Sequence, residues 1–352
     1  MVALTPTLDR DIVDLDELRL LVVVDNETDM LSSVAEGIPQ ISAGAYMAAR
    51  VPTVREHGGH PCKVVLDRLC CAGHGLSVLV TARRGDEEHT LLVDAGPYGW
   101  LWKDNAARLG VDLSTIEAVF LSHWHSDHSG ALTDVVAAVA EARKNAGLAA
   151  PLVSLHPDRP EQRGTLNPNG TMILLPPEPR FEALEAAGGR VVKQAEAHGL
   201  CSGFVFASGR IDRVTDYETG LVGHHTLRGD TLVPDPLILD ERFAAAHVRG
   251  RGVTVLSSCS HAGVVNVCLD AQSHFHDVPI DVVLGGYHLS GKAMETRIEA
   301  TVRDLEERIR PRVVAPGHCT GWRAKAALAH AFAPERYGPS GVGSMYVLKA
   351  AG

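Results

Sequence analysis

Short apolar runs, several followed by residues at helical spacing, set the layout of this chain. Leu18 to Val24 is strongly apolar and predicts a strand ending at Asp25-Asn26. Leu76–Arg83 and His89–Val93 alternate or run apolar around Arg84-Gly85-Asp86-Glu87, the pattern of a β-hairpin. Trp100–Leu109 predicts a short helix ending at Gly110. Glu117–Leu121 predicts a buried strand, and Leu132, Val135, Val136 and Val139 a helix that stops at Gly147. Further strands are expected at Leu152–Leu155, Val253–Leu256, Asp281–Leu284 and Val313-Val314. Met294, Ile298, Val302, Leu305 and Ile309 form a helical stripe of core residues that ends before Pro311. Trp322–Phe332 reads as a last helix and Ser344–Lys349 as a closing edge strand. Two halves of strands followed by helices suggest an α/β sandwich, two sheets faced by helices on the outside.

Other stretches are less patterned. Residues 1–17 form a polar lead-in, and residues 26–75 are rich in Gly, Pro and polar residues. The latter are expected to run over the surface or cover the mouth of a site. Within them His57, His60 and Cys62, with Cys70 and Cys71 beyond, fit no standard zinc spacing and read as loop histidines and small buried thiols. Residues 158–250 are the least regular, with a helix expected at Phe181–Ala187 and a strand at Gly203–Ala207. They read as an insertion or lid around a pocket, inside a single domain spanning residues 1–352. His224-His225 lies in this region and reads as solvated loop histidines; in a strand the two would face opposite ways.

Composition narrows the class. An apolar fraction of 45% allows a full core, and a net charge of −10 weighs against a nucleic-acid groove, which needs a basic face. No apolar run is long enough for a transmembrane helix, and the N-terminus shows no secretory pattern. Seven cysteines without framework spacing fit a reduced, cytoplasmic chain. The expected partner is a small-molecule substrate, with neither nucleic acid nor membrane; the oligomeric state stays open.

The chemistry is concentrated at Leu121-Ser122-His123-Trp124-His125-Ser126-Asp127-His128-Ser129-Gly130, between a predicted strand and a predicted helix. If the strand geometry persists, His123 and His125 point the same way, while Asp127 and His128 turn the corner towards a second point. Imidazole and carboxylate are ligands for zinc, iron and manganese, and four such groups on one turn can hold parts of two adjacent metal sites.

This HxHxDH stretch resembles the metallo-β-lactamase superfamily. The resemblance extends to Leu92-Val93-Asp94-Ala95-Gly96, Cys259-Ser260-His261-Ala262-Gly263 and Gly317-His318-Cys319-Thr320-Gly321. Asp25-Asn26-Glu27-Thr28, His74-Gly75-Leu76-Ser77 and Gly285-Gly286-Tyr287-His288-Leu289 are similar to one branch of it. That branch holds an archaeal synthase joining a dihydropterin to a ribofuranosylaminobenzene phosphate, and many bacterial metallo-hydrolases. The resemblance implies an αβ/βα sandwich and two divalent transition-metal ions, zinc first, with iron or manganese as alternatives. It implies that His123, His125 and His261 hold one ion and that Asp127, His128 and His318 hold the other. Asp94 would support a ligand histidine, and Asp25, Asn26 and His156 would face the substrate. Asp127 could also orient the attacking water. One departure stands out: the superfamily's bridging aspartate would follow the Asp281–Leu284 strand, where this chain has Gly285-Gly286. The next groups able to reach inward are Tyr287 and His288, and His288 is the candidate substrate contact or proton donor.

The expected activity is hydrolysis of a small, anionic phosphate or ester by a metal-bound hydroxide. The alternative is a transferase in which the metals activate a diphosphate leaving group. A di-iron oxidoreductase would need a flavin-binding partner domain, which is not visible, and an idle ligand sensor has no need of six ligands. Cys259 and Cys319 flank ligand histidines but are expected to ligate or stay buried, not to act as nucleophiles.

Overall fold

The computed structural model describes residues 12–276 and 278–351; most of the N-terminal lead-in lies outside them. Two sheets carry the architecture. The first has the strand order Arg190–Lys193, Leu152–Leu155, Ile116–Phe120, Glu87–Val93, Ser77–Arg84, Glu17–Val24, Met345–Lys349, Gln40–Ile41. The second has the order His198–Leu200, Val205–Ala207, Ala244–Val248, Gly252–Ser257, Ile280–Gly286, Val313–Gly317.

Period-two alternation divides each strand between layers. Leu91, Val93, Ala118 and Phe120 face Ala244, Ala246, Leu256, Val282 and Leu284 in a core between the sheets. Leu92 and Val119 face outward against Trp102, Leu109, Val135 and Val139 of the helices Gly99–Leu109 and Leu132–Asn145. On the other side Val255, Val283 and Val314 pack against Val265, Leu305 and Leu328. Truncating a side chain as buried as Phe120 would cost about 3–5 kcal/mol. The arrangement is an αβ/βα sandwich, two sheets faced by outer helices, as the patterning suggests and the resemblance implies.

Glu87–Val93, Ile116–Phe120 and Leu152–Leu155 run parallel, as do Gly252–Ser257, Ile280–Gly286 and Val313–Gly317. Neighbouring parallel strands end at the same edge of their sheet. The turns bearing Asp94, His123, His261, His288 and His318 all follow these C-terminal ends.

Three expectations need correction. Residues 26–75 include the helix Ala43–Arg50, whose first turn is capped by Ser42, although only Ala43, Tyr46 and Met47 of it are buried. His57 and His60 pair across an exposed hairpin, and Cys70 is buried but Cys71 is exposed. The last strand is not an edge: it lies between Glu17–Val24 and the two-residue Gln40–Ile41. Residues 158–250 are more regular than their Pro and Gly content suggests. Arg190–Lys193 joins the first sheet, and His198–Leu200, Val205–Ala207 and Ala244–Val248 join the second. What stands apart is a four-stranded sheet, Met172–Leu174, Gln162–Leu166, His224–Arg228, Thr231–Pro234, with its flanking loops. Its strands are short and half-exposed, so they lack the apolar runs that marked the central ones.

Candidate metal centre

Three groups of side chains converge at the shared strand ends. His123, His125 and His261 have ligand atoms within 4.8 Å of one another; so do Asp127, His128, Cys259 and His318, and so do Cys259, His261 and His288. The turns that deliver them are bent sharply. Asp94, Ser260, His288 and His318 all take positive φ, between 43° and 60°, a conformation costly for non-glycine residues. Surrounding hydrogen bonds hold these turns in place.

The hydrogen-bond network assigns the imidazole tautomers. Ser122 donates its hydroxyl proton to Asp94 Oδ2 at 2.7 Å, so its oxygen accepts from His123 Nδ1 at 2.9 Å. His123 Nε2 is left with a lone pair. His224 donates from Nδ1 to the Asp235 carbonyl at 2.7 Å, so its Nε2 accepts from His125 Nε2 at 2.9 Å. His125 Nδ1 is then also left with a lone pair, and it lies 3.0 Å from His123 Nε2. Two lone pairs facing at that distance repel unless a proton or a cation lies between them.

The second group follows the same logic. Asp94 Oδ2 accepts from His128 Nδ1 at 2.7 Å, and Asn26 Oδ1 accepts from His318 Nδ1 at 2.9 Å. The remaining Nε2 atoms of His128 and His318 lie 3.4 Å and 3.2 Å from Asp127 Oδ2. With the His128 ring neutral, the atoms of this group that face inward are acceptors and a thiol. His318 Nε2, both ring nitrogens of His261 and Nδ1 of His288 have no hydrogen-bond partner, although all three rings are largely shielded. Orphaned buried nitrogens are costly, and acceptor atoms converging in two adjacent groups fit transition-metal ions.

Electrostatics agree. Burial, with His128 beside it, pushes His123 down to about 3, and burial also lowers His125 and His261. These rings stay neutral, as ligation requires. Burial would lower His128 too, but the carboxylates of Asp127 and Asp94 outweigh it and hold its pKa well above the ordinary value. The pocket therefore draws positive charge to the Asp127 side, as a proton on the His128 ring that a bound ion would displace.

Several residues expected at the substrate do other work. Asp25 is fully buried: Oδ1 accepts from the His318 backbone N–H at 2.8 Å and Oδ2 from Ser340 at 2.7 Å. It braces a ligand turn and has no face for a substrate. Asn26 is committed to His318 and to the Gly75 N–H. His156 accepts from the Asp158 N–H and its carbonyl accepts from Trp124; it joins none of the ligand groups. His288 does reach the centre, its ring centroid 4.2 Å from that of His261.

Other contributors were not foreseen. His224 is 2% exposed and contacts His125, so the solvated reading fails for it; half-buried His225 points the other way along the strand. Asp240, Glu241 and Arg242 brace both ligand turns. Asp240 accepts from Trp124 N–H at 2.8 Å, Glu241 from the N–H groups of His261 and Ala262 at 2.7 Å, and Arg242 donates to the carbonyls of Ser122 and Leu121. A charged triplet between Leu239 and Phe243 was the available signal. His74 is exposed at the rim, its Nε2 3.6 Å from Asp127 Oδ2. Gly220 and Leu221 line a small space with His261 and His288, so the loop before the His224 strand closes over the centre. A cavity of about 590 Å³ lies elsewhere, between Arg159, Glu178, Arg180 and Phe181, and none of the candidate ligand residues lines it.

Comparison with known proteins gives a consistent picture. The model of the metallo-beta-lactamase superfamily matches residues 72–265, more than half of the chain. The 7,8-dihydropterin-6-methyl-4-(beta-D-ribofuranosyl)-aminobenzene-5'-phosphate synthase of Methanocaldococcus jannaschii is 25% identical over 266 residues, covering 72% of this chain and 82% of that protein. Among solved structures, a metal-dependent hydrolase of the beta-lactamase superfamily aligns with a TM-score of 0.64 at 21% identity, over 95% of this chain and 100% of that one. The metallo-beta-lactamase fold protein YhfI from Bacillus subtilis aligns with a TM-score of 0.47 at 10% identity, over 94% of this chain and 100% of its own.

Proposed function

The chain belongs to the metallo-β-lactamase superfamily, and from that premise we propose that it is a metal-dependent hydrolase with a binuclear centre, acting on a small, anionic phosphate or ester. One observation carries the proposal: two adjacent sets of inward-facing acceptor atoms, with lone pairs of His123 and His125 opposed at 3.0 Å. His123, His125 and His261 would hold one ion, and Asp127, His128 and His318 the other. When bound, such ions (zinc, or iron or manganese) polarise a substrate oxygen and lower the pKa of a coordinated water from about 15.7 to about 7.

The chain's own residues supply orientation and proton handling. Asp94 fixes His128 and, through Ser122, His123. His224 fixes His125, and Asn26 fixes His318. Asp127 keeps carboxylate lone pairs at the rim, where they can orient the attacking water. His288, whose ring packs against His261, would give a proton to the departing oxygen. Leu221 and its neighbours exclude bulk solvent from that side. Six ligands gathered on one edge also argue against an idle sensor.

A transferase is the second reading. The synthase relative, matched over 82% of its length, favours it. In that case a diphosphate would leave and an amine acceptor would attack. The two readings separate in one assay. Protein reloaded with zinc, manganese or iron is given an activated phosphodiester or ester, with and without an amine acceptor. Acceptor-independent hydrolysis, abolished by chelator and restored by metal, supports the hydrolase. Turnover only with acceptor supports the transferase, and full activity in metal-free protein removes both.

A further inference from the structure

The chain lacks the carboxylate expected between the two ligand groups, and the structure shows what fills that space. A Cβ on Gly286 would come within 2.6 Å of Cys319 Sγ and 2.5 Å of the Ser258 carbonyl. An aspartate at this turn has no room, because the Ser258 carbonyl and the Cys319 thiol take the volume. Cys319 Sγ in turn lies 3.5 Å from Cys259 Sγ. Cys259 is 2% exposed, and it is shared by the group Asp127, His128, His318 and the group His261, His288. Its Sγ is 3.2 Å from His128 Nε2, the nitrogen that Asp94 leaves with a lone pair. His318 Nε2, 3% exposed and without a hydrogen-bond partner, points into the same group.

We propose that Cys259 is a metal ligand, a thiolate supplied where the two ligand groups meet in a chain that has no carboxylate at the Gly286 turn. On ion binding its S–H bond breaks, the proton leaves to solvent and a sulfur–metal bond forms. Soft thiolate beside imidazole and carboxylate suits zinc and iron better than magnesium or calcium. Cys319 is the supporting thiol: it donates towards Cys259 Sγ and the Cys259 carbonyl, 3.6 Å away. The proposal rests on the binuclear reading, and its test distinguishes the two.

Metal-free full-length protein is titrated with cobalt(II) without oxygen, and bound cobalt is counted by elemental analysis. The expected spectrum contains a near-ultraviolet sulfur-to-cobalt charge-transfer band in the wild type. The band is expected to vanish in Cys259→Ser and Cys259→Ala and to persist in Cys319→Ser. X-ray absorption on the wild-type zinc form gives a readout independent of any variant's folding: a sulfur scatterer is expected in the first shell. Two bound ions with neither band nor sulfur scatterer overturn the proposal. So does a band that survives in Cys259→Ser or is lost only in Cys319→Ser. Fewer than two ions with a band lost in Cys259→Ser would leave the thiolate ligand standing and overturn the binuclear reading.

Discussion

His224 Nε2 lies 2.9 Å from His125 Nε2, although 99 positions separate the two residues. The Asp235 carbonyl takes the other proton of His224, so His224 can only accept, and His125 must present Nδ1 to the centre. Such outer partners set the tautomer and basicity of a ligand, and their loss commonly costs metal affinity. If His123, His125 and His261 hold an ion as proposed, His224→Ala should weaken its binding by about 10–100-fold. Competition with a chromophoric chelator measures this. His224→Gln, which restores an acceptor, should recover part of the loss; equal affinity in all three proteins would remove the role.

Metal content gives the broader check. Protein purified without chelator should carry more than one equivalent of transition metal by elemental analysis. His261→Ala should lower occupancy of one site and His318→Ala that of the other. A value near zero after careful handling would sink the two-site reading.

The central strands and the ligand turns were legible because both obey local rules. Phe120, Leu284 and Val314 sit in unbroken apolar runs, and the helix Trp322–Phe332 carries its own period. The residues that orient the ligands obey no such rule. Asp25 resembled a substrate contact because it ends a strand at the site, but its depth and its bond to the His318 backbone depend on residues 293 positions away. His224 sits in a short strand whose partners, Gln162–Leu166 and Thr231–Pro234, are interrupted by no strong pattern, so its burial could not be read locally. Glu241 lies in no patterned stretch, and it is a buried double acceptor under the His261 turn.

Glu178 offers a test of pH dependence away from the ligands. It is buried, accepts from Ser129, and has one carboxylate oxygen without a partner. Burial raises its pKa from 4.5 to about 7. A raised folded-state pKa favours the folded protein fully below the unfolded value, and that advantage disappears as pH rises through the folded value. The contribution of Glu178 to the stability of the metal-free protein should thus fall between pH 4.5 and about 7, by at most about 3 kcal/mol. Glu178→Gln should flatten that slope, so the variant gains on the wild type as pH rises. Urea unfolding across the range reads it; a difference independent of pH would contradict the assignment.

His288 is where the missing carboxylate and the proposed chemistry meet. Gly285 and Gly286 bring the backbone so close to Ser257 and Ser258 that a Cβ on either would collide with their carbonyls. The chain then turns through His288 at a φ of 44°, a strained conformation that sets its ring against His261. Its Nδ1 has no hydrogen-bond partner among the described residues, which leaves it free to meet a substrate. If it protonates the leaving oxygen, His288→Ala should keep both ions and lose turnover on the order of 10²-fold. The loss should depend on the substrate: large for a basic leaving group, which needs the proton, and small for an activated one, which leaves without it. Parallel rate measurements on two such esters or phosphodiesters, with ion content determined on the same samples, read the difference. An equal loss for both leaving groups would mean that His288 binds substrate without donating a proton, and loss of an ion would mean that its role is to support His261.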